Sequence, residues 1–99
     1  MDSNKICDLC GREGYLTRHH LVPRCLHRRK TIRRRFDAEA RGQTVRLCDD
    51  CHTQVHRLMD EKTLAVEAST LDELKNYEAV RKYLKWVRNK KAGVVSKRL

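Results

Sequence analysis

The most informative stretch of the chain is residues 48–56, which read CDDCHTQVH and begin with a Cys-x2-Cys pair. A second pair of the same spacing, Cys7 and Cys10, lies far upstream. Four cysteines in two tight pairs are the usual ligands of a tetrahedral structural zinc site. The sequence therefore predicts a structural Zn²⁺ ion bound by Cys7, Cys10, Cys48 and Cys51.

Four histidines near these cysteines need a separate explanation. His52 and His56 are four residues apart, so a helix over residues 49–58 would place both imidazoles on one face, where they can hold a second metal. His19 and His20 are adjacent, and adjacent residues of a strand point to opposite faces. One of the two should therefore bind the metal and the other should act as a general base. A zinc ribbon with incidental histidines is the alternative.

The composition limits the size of the core and suggests a partner. The chain has 99 residues, of which 39% are hydrophobic, and it carries a net charge of +10. A chain of this length forms one small domain, and a structural metal often compensates for a small core. Such an excess of positive charge favours a polyanionic partner, most often nucleic acid, although a basic surface can also be merely solvated.

The densest basic segment follows the histidine pair closely. It has no acidic residue and contains seven basic ones, namely Arg24, Arg28, Arg29, Lys30, Arg33, Arg34 and Arg35. Because it lies so near the histidines in sequence, we expect this segment to contact phosphates of a nucleic-acid partner next to the group on which the histidines would act. A solvated charged loop is the alternative.

Cysteine usage and hydropathy indicate a compartment. The five cysteines are an odd number, the first residues are polar, and no apolar run approaches the ~20 residues needed to span a membrane. We therefore expect a cytoplasmic protein without membrane contact, whose thiolates bind zinc rather than form disulfides. Cys25 remains outside the pairs and is expected to be a partly buried free thiol.

Local patterns predict short elements around these motifs. We expect a strand at residues 15–18 that continues extended to Pro23, a short helix capped by Asp37 and ended by Gly42, a strand at residues 44–47 and a helix at residues 49–58.

The last third of the chain predicts one amphipathic helix. Thr70 and Glu73 form a capping box, and an apolar stripe follows over residues 71–91, with Gly93 ending the helix before a basic tail. We expect this helix to pack onto the rest of a monomeric protein, with a basic face of Arg81, Lys85 and Arg88 that extends the surface for a nucleic-acid partner. A homodimer through Tyr83 and Trp86 is the alternative.

The motifs in their order resemble a known family. Their order is similar to that of the HNH endonucleases of the ββα-metal class. A Cys-x2-Cys pair comes first, followed by Leu-Thr-Arg-His-His-Leu-Val-Pro at residues 16–23 and by Val-Arg-Leu-Cys-x2-Cys-His-x3-His at residues 45–56. The resemblance covers residues 7–58. It implies an α+β protein in which a small zinc-stabilised ββα-metal core, residues 1–58, precedes a C-terminal helical extension, residues 59–99. It also implies metal-dependent hydrolysis of DNA phosphodiester bonds.

The resemblance also implies roles for individual residues. His20 matches the general base, and His19, His52 and His56 match the ligands of a catalytic Mg²⁺, Mn²⁺, Ni²⁺ or Zn²⁺ ion. Gln43 stands where the family usually has an asparagine that braces the loop through side-chain hydrogen bonds. The competing hypothesis is a non-catalytic zinc-ribbon module that binds nucleic acid, and a redox role for the Cys-x2-Cys pairs is a weaker third.

Overall fold

The computed structural model describes residues 5–91 and 93–95. Within these residues the chain is a small α+β protein with two antiparallel strands and six α-helices. In chain order the elements are β1 (Leu16–His20), α1 (Lys30–Arg35), α2 (Ala38–Arg41), β2 (Thr44–Cys48), α3 (Asp49–Leu58), α4 (Glu61–Glu67), α5 (Leu71–Asn76) and α6 (Glu78–Val87). A short 3-10 helix, Arg24–Leu26, lies between β1 and α1. No helix in this part of the chain is long and apolar enough to cross a membrane.

The two strands and α3 form the unit that positions the histidines. β1 pairs with β2 so that Leu16 lies opposite Cys48 and His20 lies opposite Thr44. The Sγ atom of Cys48 caps α3 by accepting the backbone N–H of Cys51, so the helix begins directly where β2 ends. This connection places α3 against β1, and both strands and the helix lie where the sequence predicts them.

One hydrophobic cluster joins this unit to the C-terminal helices. Its members from the cysteine pairs, α3 and the later helices include Cys7, Cys51, Val55, Met59, Leu64, Leu74, Val80, Leu84 and Val87. Full burial of each Leu or Val side chain contributes about 1.5–3 kcal/mol, so a few such residues supply much of the stability of a small domain. The expectation that the apolar stripe packs back onto the N-terminal part is confirmed.

The prediction of a single C-terminal helix over residues 71–91 is wrong. Tyr77 has φ −60° and ψ 126°, which are extended rather than helical angles, and it separates α5 from α6. Asn76 precedes this break, and its side-chain amide donates to the carbonyl of Asp72, a local bond that competes with helix continuation. The helix also ends at Val87, before Gly93. A further helix, α4, precedes both, and the predicted basic tail with Lys97 and Arg98 lies outside the described residues.

The basic segment, residues 24–35, packs on the rest of the protein through a second hydrophobic cluster. Val22, Leu26, Ile32 and Ala65 form a second buried cluster, against which Phe36 packs. Arg35 adds a hydrogen bond of 3.0 Å to the carbonyl of Val66 in α4. These contacts hold α1 on α4, and the seven basic side chains of residues 24–35 are exposed.

Candidate metal centres

The four predicted cysteines converge. The sulfurs of Cys7, Cys10, Cys48 and Cys51 all lie within 4.8 Å of one another. The sulfurs of Cys10 and Cys48 are 3.8 Å apart, which is about the edge of a tetrahedron with ~2.3 Å metal–sulfur bonds. This cluster therefore has the composition and the spacing to hold a tetrahedral metal ion such as zinc.

The backbone around the cysteines favours thiolates. Backbone N–H groups of Leu9 and Cys10 point at Cys7 Sγ from 3.4 and 3.5 Å, and Cys48 N–H adds a third contact at 3.4 Å. Hydrogen bonds with Cys48 and Cys51 lower the pKa of Cys7 strongly, whereas the pKa of Cys51 is raised by its hydrogen bonds with Cys48 and Cys7. Thiolates this close repel one another unless a cation lies among them, so the arrangement suits a bound metal.

Arg12 connects the cysteine cluster to the C-terminal segment. Its guanidinium donates to Cys10 Sγ (3.2 Å), Cys48 Sγ (3.5 Å), Asp50 Oδ2 (2.9 Å) and the carbonyls of Lys90 and Lys91 (3.1 and 3.0 Å). Burial lowers the pKa of Arg12, but the hydrogen bonds with Cys10 and Asp50 outweigh it and raise the pKa. The cation therefore stays charged beside the sulfurs and offsets part of their negative charge.

Asp50 is the partner that the sequence analysis did not identify. It is buried, and besides Arg12 it accepts backbone N–H groups of Gly93 and Val95 at 2.8 and 2.9 Å. An acid in the first turn of a helix is common for reasons of the helix dipole, so its position alone did not predict this contact. Arg12 and Asp50 together tie Lys90, Lys91, Gly93 and Val95 to the cysteine cluster.

The histidines form a second cluster at the contact between β1 and α3. Ligand-type nitrogens of His19, His52 and His56 all lie within 4.8 Å of one another. The ring centroids are 5.3 Å apart for His19 and His52, and 5.0 Å apart for His52 and His56. His19 is buried and His56 is exposed, so one side of the cluster opens to solvent. His20 lies outside this group, as the alternation of side chains along β1 requires.

The buried histidine has the character of a metal ligand. Nε2 of His19 is buried and has no hydrogen-bond partner within the described residues. Burial, followed by the nearby His52 and His56, lowers the pKa of His19 to about 4, so the ring is neutral at neutral pH. A buried ring nitrogen without a partner is costly, and a bound cation would remove that cost. The three imidazoles therefore fit a divalent metal ion.

A cleft of about 270 Å³ lies beside this cluster. His20 lines it together with Arg18, Arg24 and Glu61. Burial, followed by the charges of Arg24, His27 and Arg18, lowers the pKa of His20. The sequence analysis did not identify Arg18 and Glu61 as site residues. A larger groove of about 1030 Å³ runs along the strands but includes none of the histidines, so cavity volume alone does not indicate the site.

Two other predicted residues differ from expectation. The backbone carbonyl of Gln43 accepts the N–H of Leu21 at 3.2 Å. Within residues 5–91 and 93–95 the side-chain amide of Gln43 makes no hydrogen bond. The predicted side-chain bracing by Gln43 is therefore absent from this part of the chain. Cys25 is exposed rather than partly buried, because the 3-10 helix turns Leu26 inward instead.

Comparisons with known proteins place the chain in a family. It is 34% identical to the uncharacterized protein YisB of Bacillus subtilis (strain 168) over an alignment of 87 residues, and the match covers 84% of this chain and 73% of that protein. The chain belongs to the same family as YisB. No family model matches the chain, and no solved structure matches it.

Proposed function

We propose that this protein is a metal-dependent endonuclease of the HNH class that hydrolyses DNA phosphodiester bonds on a ββα-metal core. The observation that carries this proposal is the convergence of His19, His52 and His56 beside a cleft that His20 also lines. Three imidazoles for a cation and a fourth imidazole beside them are what metal-assisted hydrolysis requires.

The two clusters suit different metals and different tasks. We assign Zn²⁺ to the four cysteines in a structural role, because thiolates in a closed tetrahedral set favour it. His19, His52 and His56 would hold the catalytic divalent ion, and three imidazoles bind Ni²⁺ or Zn²⁺ more tightly than Mg²⁺ or Mn²⁺. A divalent cation at this position supplies Lewis-acid stabilisation of negative charge on the phosphate.

His20 takes the role of general base. Its lowered pKa keeps the imidazole neutral at neutral pH, so its free nitrogen can accept a proton from water. Arg18 and Arg24 line the same cleft and are exposed. Their guanidinium groups attract a phosphodiester and can bind its oxygens in a bidentate manner.

Cleavage of supercoiled plasmid tests the proposal. Protein with its structural zinc in place should nick plasmid when Ni²⁺, Mn²⁺ or Mg²⁺ is added and should not do so in excess chelator. His56→Ala should leave the fold intact, because His56 is exposed, and should raise the metal concentration for half-maximal cleavage by at least ~10-fold. Gln54→Ala, on the same helix but outside the cluster, should match wild type.

Two outcomes would contradict this proposal in different ways. An unchanged metal requirement in His56→Ala would remove that residue from the ligand set. DNA binding without cleavage under every metal would support the non-catalytic zinc-ribbon module instead.

The basic segment of residues 24–35 should increase the affinity for DNA. Changing Arg33, Arg34 and Arg35 together to glutamine should weaken binding and flatten its salt dependence, with the slope falling by ~0.9 for each phosphate that the protein no longer neutralises. The matched control is the same triple change to lysine, which keeps the three charges and should keep the slope. A glutamine triple with the wild-type slope would exclude this segment from the DNA footprint.

A further inference from the structure

Thr17 joins the ring of His52 to the strand pair. Its Oγ1 atom lies 3.1 Å from the carbonyl oxygen of Leu47 and 2.6 Å from Nδ1 of His52. Thr17 and His19 occupy alternate positions on β1, so both side chains face α3. The hydroxyl therefore contacts one of the three clustered imidazoles directly, at a nitrogen that this contact makes unavailable to a metal.

The direction of one hydrogen bond of the Thr17 hydroxyl fixes the direction of the other. A carbonyl oxygen can only accept, so the contact with Leu47 requires the hydroxyl to donate its single proton there. The hydroxyl oxygen must then accept from His52, which places the ring proton on Nδ1. A neutral ring with its proton on Nδ1 has a free lone pair on Nε2, which is the form that binds a metal.

We infer that Thr17 is a positioning residue that holds the His52 imidazole in the Nδ1-protonated tautomer and so presents Nε2 to a divalent cation. This inference rests on the proposed function, because it adds a residue to the same histidine cluster. The opposite arrangement, with the hydroxyl donating to Nδ1, would put the ring proton on Nε2 and prevent that nitrogen from ligating. It would also leave no proton between Thr17 Oγ1 and the Leu47 carbonyl.

Two substitutions separate the hydroxyl from the shape of the side chain. Thr17→Val keeps the branched shape and removes the hydroxyl, whereas Thr17→Ser keeps the hydroxyl. Both are compared with wild type in the 99-residue chain with zinc on the cysteines. The first measurement is the ¹⁵N chemical shift of the His52 ring without added metal, and the second is calorimetric titration with Ni²⁺.

The expected results differ for the two variants. Wild type and Thr17→Ser should show a proton on Nδ1, and Thr17→Val should show a mixture of tautomers. Nickel affinity of the histidine cluster should fall ~10–100-fold in Thr17→Val and stay near wild type in Thr17→Ser, as is typical when a supporting hydrogen bond of a ligand is removed. Zinc content should be the same in all three proteins.

Each contrary result has a distinct meaning. A wild-type His52 with its proton on Nε2, or equal nickel affinity in Thr17→Val and wild type, would overturn the inference. If wild type bound no Ni²⁺ beyond the zinc already on the cysteines, the metal site of the proposed function would fail. In that case the role of Thr17 toward a cation fails with it, and the nitrogen shifts alone still decide whether Thr17 sets the tautomer.

Discussion

Replacing Cys51 by serine should abolish the folded state at ambient temperature. In zinc-finger peptides a structural zinc site supplies an apparent ~10–16 kcal/mol, which equals or exceeds the ~5–15 kcal/mol by which ordinary domains are stable. Cys51 is fully buried, and the hydroxyl of Tyr83 donates to its sulfur at 3.6 Å, so its loss also weakens the docking of α6. Zinc content and thermal melting followed by circular dichroism would measure the effect.

Cys25→Ser is the matched control for this prediction. The Cys25 side chain is exposed and lies outside the cluster, so its replacement should change the free energy of unfolding by no more than ~0.5 kcal/mol and leave the zinc content unchanged. A Cys51→Ser protein that kept its zinc and melted like wild type would refute a four-cysteine structural site.

Local signals in the sequence were sufficient for the elements around the motifs. The helix predicted over residues 49–58 has those bounds, and Asp37 caps α2 as predicted, with its carboxylate accepting the N–H of Ala40 at 2.8 Å. Thr70 likewise accepts the N–H of Glu73 at 3.1 Å at the start of α5. Each of these features depends on residues within a few positions of one another, so a single sequence contains the information.

Some features that the sequence did not reveal depend on distant residues, and one depends on a local hydrogen bond. Arg12 contacts Asp50 and the carbonyls of Lys90 and Lys91, and no local pattern connects these positions. The break at Tyr77 was hidden because the apolar spacing continues through it, and both Leu74 and Val80 are buried on either side. The Arg12 contacts are tertiary, and the helix break follows the local hydrogen bond of Asn76, so helix periodicity alone reveals neither.

The sequence alone is sufficient to place Thr17 near the histidine cluster. The strand was predicted correctly, and alternation along it places Thr17 on the same face as His19, toward the helix that carries His52. The sequence does not predict how α3 is placed along β1, and this placement decides whether the Thr17 hydroxyl reaches Nδ1 of His52. The residue types of the histidine cluster were therefore predictable, whereas the contacts that orient them required the structure.

Replacing His20 by alanine should remove most of the cleavage activity. Loss of a general base typically lowers the rate ~10²–10⁴-fold, while zinc content, melting and DNA affinity should change little because His20 belongs to neither metal cluster. The wild-type rate should rise with pH as the His20 ring loses its proton. Because the pKa of His20 is lowered, the midpoint of this rise should lie below the usual pKa of an imidazole.

Added imidazole distinguishes a base from a structural residue at this position. The His20→Ala substitution leaves space in a cleft that opens to solvent, so free imidazole should restore part of the rate to this variant and none to a variant lacking a metal ligand, such as His19→Ala. The restored rate should follow the ionisation of free imidazole, since the added base then accepts the proton from water. Equal plasmid cleavage by wild type and His20→Ala would show that another group accepts the proton and would end the assignment of His20.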